Sequence, residues 1–296
     1  VPEPTPAPNA PIVAAVDGSE TAYHAAGWAA VDARLHGRPL HLLCSMAVPF
    51  GYGEHPTLPE GERDWLRDEG ERALREAGRI AEAAAGGPIT VTAELTFDFI
   101  VPTLLDRSRT AHRLVLGSRG LGAFRRGLLG SVSTAVAGHA HCPVAVVRTP
   151  AATDPVAASK PVLVGVDGTA NSVGALEVAF AEASFRGVGL TALHAWRDTS
   201  GLDLPIDDWE GVRQSEEAAL AESLAGYAEQ YPDVPVRRIV VADRPVRSLL
   251  DESARAQLVV VGSRGRGGFT GMLLGSTSNG LLHSVDIPIV VVRAGG

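Results

Sequence analysis

Short unbroken apolar runs alternate along the chain with longer stretches of helical spacing, and the whole alternation occurs twice. Ile12–Val16 and Val162–Val166 are five-residue apolar runs that stop at Asp-Gly, the length and punctuation of strands buried on both faces. An Ala-rich helical stretch follows from Ser19 to Leu35, ending near Gly37, and a second apolar run comes at Leu40–Ala47, matched by Leu190–Trp196. Helical spacing returns in Leu66, Ala73, Ala77, Ile80 and Ala84, and in the second half in Leu220, Leu224, Tyr227 and Tyr231. The pattern then predicts a strand at Ile89–Leu95 (Val236–Val241), a short helix at Pro102–Arg109 (Pro245–Ala254) and a strand at Leu114–Leu116 (Leu258–Val261). A glycine-rich loop, a helix and a last strand, Val144–Arg148 or Ile289–Arg293, complete each set.

The two sets are copies of each other. PIVAAVDGSE from Pro11 returns as PVLVGVDGTA from Pro161, and the register holds through Gly37 and Gly187, Leu40 and Leu190, Leu43 and Leu193. The segment LVLGSRGLGAFRRGLLGS returns as VVVGSRGRGGFTGMLLGS after a small deletion. The expected domains are therefore residues 1–150 and 151–296, joined by a polar, Pro/Ala-rich linker at about 149–160. Strands alternating with helices imply right-handed crossovers, so the predicted fold class is α/β, two tandem open parallel sheets of five strands each. Ligands bind such sheets beyond the carboxyl ends of the strands, where the strand order reverses.

Composition narrows the chemistry. Among 296 residues, 45% apolar and 20% charged indicate a globular protein, and a net charge of −8 argues against coating nucleic acid or an anionic membrane. A local anion site needs only aimed backbone N–H groups, so nucleotides stay open. Lys160 is the only lysine, which excludes a P-loop and any Schiff-base lysine other than Lys160 itself. With only Cys44 and Cys142 there is no disulfide framework. The opening VPEPTPAPNAP carries no basic, apolar leader and no run reaches 18 apolar residues, so a cytoplasmic protein is expected, with no membrane partner.

The strongest chemical signal is the loop after the fourth strand. Gly117 and Gly120, then nine residues, then Gly130 and Ser131, are repeated as Gly262 and Gly265, nine residues, Gly275 and Ser276. Glycines there let backbone amides approach an anion and permit positive φ, while Gly-Ser at a helix start aims N–H groups and a hydroxyl at a phosphate. In the plain alternative, the glycines only shape a tight surface loop and Asp17 helps start a helix. Arg119, Arg125 and Arg126, or Arg264 and Arg266, offer further pairing to phosphate but are exposed-loop residues. Cys142, replaced by Ile287 in the second copy, reads as core. His139 and His141 become Ser284 and Asp286 there and lack a third ligand, and His194 stands where Cys44 stands, so none of these marks a shared reaction. There is neither a GxSxG elbow nor a dinucleotide-type glycine turn after the first strand.

The spacing G-x2-G-x9-G-S/T, twice over, resembles the ATP-binding branch of the universal stress protein family. The resemblance covers nearly the whole chain and implies a Rossmann-like, adenine nucleotide alpha hydrolase-like domain in each half. It implies that Gly117, Gly120, Gly130, Ser131 and Val132, with Gly262, Gly265, Gly275, Ser276 and Thr277, hold ribose and phosphates. Asp17 and Asp167 would meet the adenosine moiety, Ala15 and Val16 or Gly165 and Val166 would flank the base, and Ser45 or Ala195 would contact adenine through the backbone. On this footing each domain binds one ATP, with Mg, in stress response or growth regulation, without a catalytic residue assigned. The last strands would pair the copies about a pseudo-twofold and support a homodimer. The alternatives are a nucleotide-free dimerising scaffold and a slow ATPase, for which Asp17 and Asp167 are the candidate bases. Both aspartates are expected to be exposed strand-end carboxylates that add little to stability.

Overall fold

The computed structural model describes residues 9–47, 60–120, 129–149, 154–196, 209–265 and 273–293. It forms two compact units, Val1–Thr153 and Asp154–Gly296. In the first, the order is β1 (Ile12–Val16), α1 (Glu20–Leu35), β2 (Leu40–Ser45), α2 (Glu60–Ala85), β3 (Val91–Thr96), α3 (Ile100–Arg107), β4 (Arg113–Gly117), α4 (Ser131–His139) and β5 (Val144–Val147). In the second it is α5 (Pro155–Ala158), β6 (Val162–Val166), a 3-10 turn (Ala170–Ser172), α6 (Val173–Arg186), β7 (Leu190–Ala195), α7 (Trp209–Leu224), α8 (Tyr227–Gln230), β8 (Val236–Val241), α9 (Pro245–Ser253), β9 (Leu258–Gly262), α10 (Ser276–Ser284) and β10 (Ile289–Val292).

Each unit is the predicted α/β domain. The first sheet runs β3-β2-β1-β4-β5 and the second β8-β7-β6-β9-β10, with every one of these neighbours parallel. Even the register repeats: Val13 lies opposite His41 and Leu114, and Leu163 lies opposite Thr191 and Val259. The chain builds outward from β1 to β3 and then crosses back to β4, so the reversal falls between β1 and β4, and between β6 and β9. Strands covered by helices on both faces must be apolar throughout, and Ile12, Val13, Ala14, Leu163 and Val164 are all at most 1% exposed.

Small residues let helices close on these sheets. Ala22, Ala25, Ala26, Ala29, Ala30 and Ala33 form the buried stripe of α1, whose N-cap Ser19 accepts a bond from the Ala22 N–H. A Cβ on Gly117 would stand 2.9 Å from the backbone of Thr21 and Ala22, so glycine at the end of β4 is what permits the α1 approach. The equivalent atom on Gly262 would be 2.9 Å from the Asn171 carbonyl.

Three local expectations change. The helix through Leu220 and Tyr231 is broken: Gly226 takes φ +86°, α8 starts afresh, and Tyr227 and Tyr231 stack on Phe180 at 4.7 and 5.7 Å. The buried apolar residues of α2 are Ala73, Leu74, Ala77, Ala81 and Ala85, with Ile80 and Ala84 only half-buried. Within the expected linker, Asp154 caps the single turn α5 by accepting from the Val156 N–H at 2.9 Å. No helix among the described residues is long and apolar enough to cross a membrane.

Candidate functional site

The switch point gathers the chemistry. β1 delivers Asp17 at its end, and Gly18, at φ +86°, turns the chain into α1. Asp17 Oδ1 accepts from the Ser19 N–H at 3.0 Å and from its hydroxyl at 2.6 Å, so this carboxylate is part of the strand-to-helix turn. It is half-buried, which corrects the expectation of an exposed group without structural weight. On the neighbouring strand, the Ser118 N–H leaving β4 donates to the Val147 carbonyl at 2.8 Å, and the Thr21 hydroxyl donates to the Arg119 carbonyl at 2.5 Å. Gly120 then passes so close to Asp17 that a Cβ would collide with Asp17 Oδ2.

The loop returns through Gly130, whose N–H donates to the Ser118 carbonyl at 2.8 Å. Gly130 is the N-cap of α4 and has no side chain to satisfy the first-turn amides, while the Ser133 hydroxyl anchors the turn by donating to the Gly117 carbonyl at 2.7 Å. An uncapped helix start presents N–H groups and the positive end of the helix dipole. None of the motif glycines described has a positive φ; at the site that conformation belongs to Gly18 and Gly168 instead. Gly117, Gly120, Gly262 and Gly265 serve close approach.

These elements enclose a cavity of about 740 Å3. Ala15, Val16, Asp17, Ser45, Gly117, Gly120, Gly130, Ser131 and Val132, the nine residues singled out in the first copy, all line it. The Ser45 hydroxyl donates to the Asp98 carbonyl at 2.6 Å. Arg119 lines the cavity too.

The second unit reproduces the arrangement. Asp167 Oδ1 accepts from the Thr169 N–H at 2.9 Å, the Thr169 hydroxyl at 2.8 Å and the Ser172 hydroxyl at 2.6 Å. Gly275 N donates to the Ser263 carbonyl at 2.8 Å, and the Ser278 hydroxyl donates to the Gly262 carbonyl at 2.8 Å. A Cβ on Gly265 would lie 3.1 Å from Asp167 Oδ2, which places Asp167, Gly265 and the Gly275 turn together; Ser276 and Thr277 open α10 beyond it. Val166 and Ala195 end the two central strands, and Gly165 is packed, since its Cβ would stand 3.1 Å from Leu249. Arg264 is exposed. Arg125, Arg126 and Arg266 lie outside the described residues.

A model of the universal stress protein family matches residues 9–148 and again residues 158–293. The chain belongs to that family. Universal stress protein Rv2005c of Mycobacterium tuberculosis is 47% identical over 284 residues, 95% of this chain and 96% of that one. Another, Rv2623 of the same organism, is 42% identical over the same shares of the two chains. Among solved structures, a universal stress protein from Archaeoglobus fulgidus superposes with a TM-score of 0.67 at 22% identity, covering 96% of this chain and 98% of that one, a likeness of fold. Both copies of the domain in this chain fall within the stretch matched to these mycobacterial relatives.

Other reactive residues are spoken for. Burial first, and the Asp17 charge second, push the Cys44 thiol up to about 11, and burial pushes Cys142 up to about 12, so both sit as neutral core groups. The exposed His139 ring bonds the Ala135 carbonyl of its own helix at 2.8 Å. His194 bonds the Val166 carbonyl and Glu216, each at 2.7 Å, where the first unit has Cys44. Sequence reasoning missed the wall that α2 contributes to the cavity: Trp65, Leu66, Glu69 and Ala73. Leu66 and Ala73 were visible as one helical face, but nothing in their spacing separates a cavity wall from a buried core.

Proposed function

We propose that each unit binds one adenine nucleotide, ATP with its Mg, at the carboxyl ends of its strands, and that the chain uses this occupancy in stress response. The observation that carries the reading is the cavity at the β1/β4 switch. Its 740 Å3 falls within the ordinary range for small-molecule pockets, and an uncapped helix start and a glycine turn border it. Packing alone accounts for Gly117 and Gly262. It does not account for Gly130 and Gly275, whose Cβ atoms would meet only ordinary contacts at 3.4 and 3.5 Å. Binding at micromolar strength needs about 8 kcal/mol, and hydrogen bonds to a charged group contribute about 1.5–3 kcal/mol each, so a few first-turn amides go far toward it. A homodimer is part of the proposal, on the family resemblance, and sedimentation of the purified chain tests it.

Mass spectrometry of small molecules released on denaturing the purified chain tests the reading. Adenine nucleotide at up to two per chain is expected, and added ATP at a hundred times its Kd should raise apparent stability by about 2.7 kcal/mol. A chain that releases no nucleotide and shows no ATP-dependent stabilisation would favour the scaffold alternative.

A further inference from the structure

The cavity of the first unit is lined by polar groups, Asp17 and Gly120 with the α4 start, and by the apolar Met46, Leu66, Ile100 and Leu129. Trp65 is the single aromatic side chain among the described lining residues, and it is 60% exposed. A scattered apolar residue on a surface requires no explanation, but a flat, exposed indole on the wall of a cavity offers a large apolar face to whatever enters. A nucleotide calls for both kinds of lining, with a charged phosphate end and a planar base with two apolar faces.

We propose that Trp65 is the surface on which the nucleobase stacks in the first unit, making it a specificity-determining residue that favours purines by their larger stacking area. The inference rests on the nucleotide reading above. It assigns α2 a part in ligand recognition that the glycine loop does not supply, because the loop addresses phosphate and reads no base. Stacking is indifferent to the base's hydrogen-bonding edge, so the expected preference is by ring size.

The test uses the full chain, titrated with ATP and Mg by calorimetry and by tryptophan emission, in wild type, Trp65→Ala and Trp65→Phe. Wild type should show an ATP-dependent change in emission that Trp65→Phe loses. Trp65→Ala should weaken one of the two ATP sites about tenfold or more, and Trp65→Phe, which keeps a stacking face, should stay within about threefold. Inorganic triphosphate, a probe with no base, should bind wild type and Trp65→Ala alike. If Trp65→Ala binds ATP as wild type does, or loses triphosphate as much as ATP, the inference fails while the nucleotide reading stands. If wild type shows neither heat nor emission change with ATP, the nucleotide reading itself falls and takes the inference with it.

Discussion

In the first unit β4 begins at Arg113, buried, with its guanidinium 2.6 Å from the buried Asp32 carboxylate of α1. In the second unit the same register position is Leu258, equally buried, and Glu182, at the place of Asp32 in the repeat, pairs with Arg186 at 3.0 Å. At the amino ends of the strands, then, the copies solve packing differently, one with a strand-to-helix ion pair and one with an apolar strand residue. At the carboxyl ends the bonds that close the glycine loops agree. The Gly130 and Gly275 turns close at 2.8 Å in both, and the Ser133 and Ser278 anchors measure 2.7 and 2.8 Å. Packing alone tolerates exchange, as the amino ends show, so the shared apparatus at the other end points to a demand common to both units, which the proposed nucleotide supplies.

The sharpest way to probe this contrast is to give the first unit the second unit's residue. Arg113→Leu leaves the Asp32 charge without its strand partner in the interior, and removing one member of such a pair costs about 3–5 kcal/mol. Denaturant unfolding followed through Trp28, buried in α1, should register that loss, whereas a change below about 1 kcal/mol would mean the pair is interchangeable with leucine in place.

A smaller effect should be equal in the two copies. Gly117→Ala and Gly262→Ala each set a methyl 2.9 Å from backbone and should cost about 1–3 kcal/mol, while Gly275→Ala, with its nearest neighbour at 3.5 Å, should cost about 1 kcal/mol or less. Unequal costs at Gly117 and Gly262 in unfolding experiments would break the claim that the carboxyl ends are the same machine. The smallest contrast is between the aspartates. Among the described residues Asp167 Oδ1 accepts three bonds and Asp17 Oδ1 two, so Asp167→Ala should destabilise by about 1 kcal/mol more than Asp17→Ala, as thermal unfolding of the ligand-free variants would show.

Strands were readable because burial on both faces leaves no alternative to Ile, Val, Leu and Ala: β1 and β6 run over the residues that the apolar runs marked. Helices were less legible. Alanine carries little hydrophobic signal, so Ala81 and Ala85 of α2 were passed over in favour of Ile80. The apolar spacing through Tyr227 and Tyr231 hid a chain reversal of torsion at Gly226. At the site, the glycine spacing marked one wall of the cavity, and the nine residues that the family resemblance implicated in the first copy do line it. Of the two jobs expected of the glycines, the positive φ is absent from those described, and the missing Cβ serves approach of the chain to α1 and to Asp17. Trp65 could not be foreseen, because a wall contributed by α2 depends on how that helix lies across the sheet rather than on any local motif.

Nucleotide occupancy at both carboxyl ends is tested most directly by calorimetric titration of the full chain with ATP and Mg, in wild type, Gly120→Val and the pair Gly120→Val with Gly265→Val. A valine at either place drives its side chain into the Asp17 or Asp167 carboxylate at the mouth of the glycine loop, away from the core. Two ATP per wild-type chain, one for the single variant and none for a double variant that still unfolds cooperatively is the predicted series. A folded double variant that binds two ATP with wild-type affinity would contradict it and return the glycine loops to the role of surface turns.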